Sequence, residues 1–197
     1  MQGTSLANTS LRLAGWQFET GVPTVKKFVG LAVPHTSNWD GLLLIALTRS
    51  IGLKMRWMIK DAWVKGPLSA PMRSLGAVAI NRSHATNVVD QMVALFAKEE
   101  ELALFIPPEG TRSRAETWKS GFYHIARGAN VPVVPGYLDF ARKRAGLGPP
   151  ITMTGDVSAD MDKIRAFYAE KSPTPFDPSQ FGPIRLREEL AANVGAK

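Results

Sequence analysis

The sequence predicts an α/β fold: a single-domain sandwich around a central, largely parallel (mixed) sheet of about six or seven strands flanked by helices. Three observations predict it. Short apolar runs at 25–33, 55–60, 76–80, 102–106 and 131–138 have the length and composition of buried strands. Segments with helical periodicity or helix caps alternate with them, the pattern of strands joined by crossover helices. The 197 residues contain no internal repeat and no break that marks a second domain, and a chain of this length buries roughly 70% of the surface its unfolded form exposes. We divide it into an N-terminal amphipathic segment (1–24), a catalytic body (25–170) and a proline-rich C-terminal strap with a short helix (171–197).

Residues 6–18 are loosely amphipathic, with Leu6, Leu13 and Trp16 near helical spacing and Phe18 beyond them, interrupted by Gly15 and by Gly21-Val22-Pro23; these four apolar positions look exposed, the alternative being that they cover the protein's own core. The first strand, 25–33, carries Lys26 and Lys27 near an exposed start. A helix over 38–52 has Ser37 or Asn38 as its cap. After the 55–60 strand, residues 61–74 read as short helical pieces divided by Gly66-Pro67 and Pro71, and 76–80 as a fully apolar strand. Val88, Val89, Met92, Val93, Leu95 and Phe96 form the stripe of a core-packed helix over 86–100. The 102–106 strand ends at Pro107-Pro108, because proline cannot donate to the ladder of a central strand. A short helix at 121–128 and a strand at 131–138 come next. Arg142-Lys143-Arg144 reads as a basic turn, 151–154 as a sixth strand, 159–170 as a helix, and 184–192 as a last helix with Pro183 at its first position.

Charge and composition narrow the function. The net charge is +7, and residues 1–82 carry ten Lys or Arg against three acids (Glu19, Asp40, Asp61), whereas the remainder is balanced. Such a surplus attracts phosphates or an anionic membrane surface. There are no cysteines, so disulfides and an acyl-cysteine intermediate are excluded, and the three histidines lack metal-ligand spacing. No metal or cofactor is expected. No apolar run approaches a membrane span and residues 1–10 are too polar for a signal peptide, so we expect a cytoplasmic protein, peripheral on the inner face of the membrane. No nucleic-acid recognition motif is present.

The chemistry gathers in three places. His35 falls past the end of a strand and Asp40 in the first turn of the next helix, so the carboxylate can orient the imidazole and leave one ring nitrogen as a base. Arg82 and the loop Glu109-Gly110-Thr111-Arg112 also fall just past strand ends, where α/β sheets collect ligands. The arginine forks suit a phosphate, and Glu109 suits acceptor hydroxyls or an arginine. Alone, His-x4-Asp is also what a capped helix with a satisfied histidine looks like, and Glu109 could simply pair with Arg112 or Arg114. Ser37 reads as a cap rather than a nucleophile.

These residues resemble the glycerolipid acyltransferases of the lysophosphatidic acid acyltransferase type, in a short form without transmembrane segments. His35 to Asp40 looks like that family's His-x4-Asp block, Gly76 to Arg82 like its second, Phe105 to Ser113 like its third, and Val131-Pro132-Val133-Val134-Pro135 like its fourth. Lys119-Ser120-Gly121-Phe122 is similar to the segment after that family's third block. The resemblance implies that His35 and Asp40 are the catalytic pair, that Arg82, Glu109, Gly110, Thr111 and Arg112 bind the acceptor, and that Val131, Pro132 and Pro135 belong to the acyl site. It implies transfer of a fatty acyl group from acyl-coenzyme A or acyl-carrier protein, as co-substrate, to a lysolipid or other phosphorylated acceptor. Alternatives are a non-glycerophosphate acceptor, a thioesterase or a lipid-binding module; a hydrolase would want Gly-x-Ser-x-Gly, which is absent.

Overall fold

Strand β2 (Lys27–Val33) lies in the middle of a seven-stranded sheet, and its sequence says why. Val29, Leu31 and Val33 point to one side and Phe28 and Ala32 to the other, so both faces need cover, as in a parallel sheet between helices. The computed structural model describes residues 6–19, 22–64, 66–80 and 85–189. With β1 (Gln17–Phe18), β3 (Met55–Lys60), β4 (Ala77–Ile80), β5 (Leu102–Ile106), β6 (Val133–Asp139) and β7 (Arg144–Leu147), the strand order is β1-β7-β6-β2-β5-β3-β4. Every neighbouring pair is parallel except β6 with β7. β2 pairs with β5 from Lys27↔Leu102 to Leu31↔Ile106 and with β6 from Val29↔Val133 to Val33↔Tyr137, so these strands end at one edge. Gly30 is fixed by packing: a Cβ there would meet the Phe105 ring at 2.7 Å.

Helices α4 (Ala85–Lys98), α5 (Gly121–Gly128) and α6 (Val157–Lys171) cover one face, packing Met92, Phe96, Phe122, Ile125, Met161 and Ile164 on Val29, Leu104 and Val133. Helices α1 (Leu6–Leu13) and α2 (Asn38–Ser50) cover the other, with Leu11, Leu44 and Leu47 against Phe28, Phe105 and Val134.

Four local expectations are corrected. The sixth strand is not 151–154 but β7: Pro149-Pro150 end the ladder, and only Ile151 makes an isolated bridge to Val133. The sequence Arg-Ala-Gly-Leu is too short and basic to read as a strand, yet Gly146 fits it against Tyr137, where a Cβ would stand 2.7 Å from the ring. Pro71 does not divide a helix; it sits in the first turn of α3 (Ser69–Ser74), where an N–H has no intrahelical partner to lose. The last helix starts at 187, not behind Pro183, because Arg185 and Leu186 run alongside Trp118; residues 190–192 of the expected helix lie outside the described residues. Finally, Trp16 and Phe18 are not exposed: both are half-buried, and Trp16 stands edge-on to Phe140 at 5.3 Å between centroids. Leu13 is exposed as expected, and the side chain of Leu6 lies outside the described residues.

Candidate active site

At the carboxyl edge of β2 the chain turns into α2, and Asp40 organises that turn. Its Oδ2 accepts the amide N–H groups of Thr36 and Ser37 (2.7 Å for the latter), and its Oδ1 accepts the Ser37 hydroxyl at 2.8 Å. The Ser37 oxygen accepts the Trp39 amide at 3.1 Å in return, which completes a capping box. Ser37 is thus a cap whose hydroxyl is already committed to Asp40. The carboxylate is 2% exposed and held by three donors.

His35 stands beside it, its side chain 19% exposed, with Nδ1 4.0 Å from Asp40 Oδ2. That is ion-pair range rather than a hydrogen bond, and catalytic contacts commonly tighten only when substrate is bound. Burial lowers the pKa of His35 below the ordinary imidazole value; the Asp40 charge opposes this and the Arg112 charge reinforces it. The imidazole is therefore neutral at neutral pH and available as a base.

Glu109 arrives at the same edge because β5 is the neighbour of β2. It is 4% exposed, and neither carboxyl oxygen has a partner with hydrogen-bond geometry. Burial pushes its pKa up to about 7, the Asp40 charge adds to that, and its own amide and that of His35 pull back. An unpaired carboxylate in such a site is costly, so the acid is held largely neutral below that pH. Its field reaches wholly buried Tyr168, whose phenol is raised mainly by burial and which donates to the Gly136 carbonyl at 2.9 Å. Pairing of Glu109 with Arg112 or Arg114 is absent: Arg114 contacts Glu116 and the Phe181 carbonyl instead.

The turn beyond Glu109 is shaped by Gly110, at φ +65°, and its open face is occupied by Lys119. A Cβ on Gly110 would come within 2.7–2.9 Å of Lys119 Cδ, Cε and Nζ. Thr111 accepts the Ser113 amide at 3.2 Å, and Arg112 is exposed within electrostatic reach of His35. Sequence reasoning does not place Lys119 among the site residues; its only signal is its position after the third block. Arg82 lies outside the described residues, just past β4.

Val131 and Pro132 do not join this cluster. They precede β6 and sit level with the start of β2, at the opposite edge from His35, while Pro135 lies mid-strand opposite Leu31. A cavity of about 300 Å³ borders Val131 and Pro132 together with Arg127 and Thr152. A larger one, about 490 Å³, lies between Pro149-Pro150 and α6. Neither is lined by His35, Asp40 or Glu109, so the chemistry lies in an open edge rather than in either cavity. Among the described residues no group of three His, Asp or Glu gathers to hold a metal.

Residues 19–139 match the family model Acyltransferase. The chain is 28% identical over 137 residues to 1-acyl-sn-glycerol-3-phosphate acyltransferase of Haemophilus influenzae, covering 62% of this chain and 54% of that protein. It thus spans about half the length of this curated relative. Its fold is similar to the crystal structure of the 1-acyl-sn-glycerophosphate (LPA) acyltransferase PlsC from Thermotoga maritima, with a TM-score of 0.59 and 16% identity over 88% of this chain and 80% of that one.

Proposed function

The chain belongs to the Acyltransferase family, and from that premise we propose that it moves a fatty acyl group from an acyl thioester, coenzyme A or acyl-carrier protein, to the hydroxyl of a glycerolipid acceptor such as lysophosphatidic acid. The observation that carries this reading is the edge itself: a half-buried, neutral His35 beside the anchored Asp40 carboxylate, with the Arg112 cation in reach. His35 takes the acceptor hydroxyl's proton as that oxygen attacks the thioester carbonyl. The tetrahedral intermediate collapses by breaking the C–S bond, and the imidazolium returns its proton to the leaving sulfur. Asp40 stabilises the imidazolium between those steps. Arg112, with Arg82 and Lys119, holds the acceptor phosphate, Gly110 and Thr111 shape the turn beneath it, and Glu109 meets an acceptor hydroxyl. Val131, Pro132 and Pro135 are assigned to the acyl chain. A thioesterase reading is disfavoured because the serine nearest the base, Ser37, is tied to Asp40.

The acceptor is tested by offering labelled palmitoyl-coenzyme A with a panel of lysolipids and identifying the acylated product by mass. Arg112→Lys keeps the charge but loses the bidentate fork, so KM for a phosphorylated acceptor is expected to rise about tenfold with KM for the thioester unchanged. An unchanged acceptor KM would show that the phosphate is held elsewhere.

We also propose that the protein works at the cytoplasmic, inner face of the membrane without crossing it. A two-chain lipid product is too insoluble to release into water, and among the described residues no helix is long and apolar enough to span a bilayer.

A further inference from the structure

Five large apolar side chains stand exposed among the described residues: Leu13 (84%), Trp39 (62%), Leu42 (57%), Phe176 (53%) and Val22 (48%). Contacts within the fold tie the first four into one arc around His35. Lys143 donates to the Ala14 carbonyl at 2.9 Å, beside Leu13. The turn that carries Lys143 begins at Phe140, whose ring meets Phe176 edge-on at 5.4 Å between centroids. The next amide, Asp177, donates to the Thr36 hydroxyl at 3.2 Å, so Phe176 borders the loop that holds His35. Trp39 and Leu42 lie on the first two turns of α2, against which α1 packs.

Basic side chains are interleaved with this apolar arc. The acids nearby are already matched: Asp139 by Arg142 at 2.9 Å, and Glu19 by Arg144 at 4.0 Å and by the Tyr137 hydroxyl. Asp177 turns back to accept the Ser179 amide and hydroxyl. Among the described residues no acid lies within ion-pair distance of Arg12 or Lys143, which flank Leu13 and its neighbour Ala14. Through Lys143 the turn 140–143, which the acyl-transfer chemistry leaves unused, thus meets the exposed end of α1.

We propose that this arc is the face on which the protein seats on an anionic bilayer, with Leu13, Trp39, Leu42 and Phe176 entering the headgroup boundary and Arg12 and Lys143 meeting lipid phosphates. Apolar side chains rimmed by cations are the composition that an interfacial segment uses, and neither part suffices alone. The inference rests on the acyl-transfer reading in one respect: that reading makes the partner a lipid surface. The seating places His35 against the bilayer, so a lysolipid reaches it without leaving the membrane. Trp16 and Phe18 take no part in the seating, since they belong to the protein's own packing.

The test is sedimentation of the full chain with phosphatidylglycerol-containing vesicles and with pure phosphatidylcholine vesicles, at low and high salt. Binding is measured without turnover, so the result stands whether or not acyl transfer is found. We expect binding to the anionic vesicles only, weakened by salt, and a further loss of about tenfold or more in the double variant Trp39→Ser/Phe176→Ser. Arg12→Glu, on an exposed site, should weaken it independently if the doubly substituted chain fails to fold. Wild-type protein left in the supernatant at low salt, or folded variants that sediment like wild type, would overturn the proposal. So would variants that sediment normally but raise KM for a short, soluble acyl thioester, which would make the arc a groove for the donor's chain, or that abolish a dimer in a chain that never binds vesicles.

Discussion

His35→Ala is expected to lower acyl transfer about 100- to 10,000-fold, the range that a positioned general base contributes. The loss should fall on kcat and kcat/KM together, because the proton moves only in the transition state. His35 is partly exposed and holds no cap, so the variant should fold normally. Asp40 needs two variants, because it is both the base's partner and the acceptor of the α2 cap. Asp40→Asn keeps an oxygen for the Thr36 and Ser37 amides but removes the charge, so turnover should drop by a large factor with little change in stability. Asp40→Ala strands those amides as well, one of them buried, and should also destabilise by roughly 2 kcal/mol. Equal stability of the two variants in urea would contradict the capping role. A well-folded His35→Ala protein with near-normal turnover would remove His35 as the base.

The second large effect is on stability as a function of pH. Glu109 binds its proton more tightly in the folded chain, with its pKa raised from 4.5 to about 7. A carboxyl raised in this way favours folding fully below its unfolded pKa and loses that contribution as pH rises through the folded one. The wild type should therefore lose up to ~3 kcal/mol between about pH 4.5 and pH 7 from this group. His35 acts in the opposite direction: its lowered pKa costs stability as pH falls below the ordinary imidazole range. Subtraction isolates Glu109. Glu109→Gln, a neutral isostere, should match the wild type near pH 4.5 and be the more stable protein at pH 8, as read by urea unfolding at both. The same pH slope in both proteins would mean that Glu109 is ionised and paired.

Much of the fold is legible in the sequence because its signals are local. The apolar runs that form β2 to β6, the Ser37 cap and the placing of His35 and Glu109 past strand ends each depend on a few consecutive residues. What brings His35 and Glu109 together is not local: the pairing of β2 with β5 joins segments some 75 positions apart, and no periodicity encodes strand order. The same limit hides the isolation of Glu109, since Arg112 and Arg114 lie near it in sequence while Arg114 turns to Glu116. β7 is illegible because its neighbour supplies the pairing that Arg-Ala-Gly-Leu does not advertise. Trp16 reads as exposed because a short, interrupted amphipathic stretch does not say whether its apolar side meets solvent or Phe140.

Transfer of the acyl group to an acceptor hydroxyl through His35 is tested most directly by mixing labelled acyl-coenzyme A with the purified chain and lysophosphatidic acid, then counting released thiol, acylated lipid and free fatty acid. Transfer through His35 requires one acylated lipid for each thiol released, negligible free fatty acid, and the loss of both products' formation in His35→Ala. Labelled fatty acid that accumulates with or without the acceptor, or thiol release that survives in His35→Ala, would contradict it.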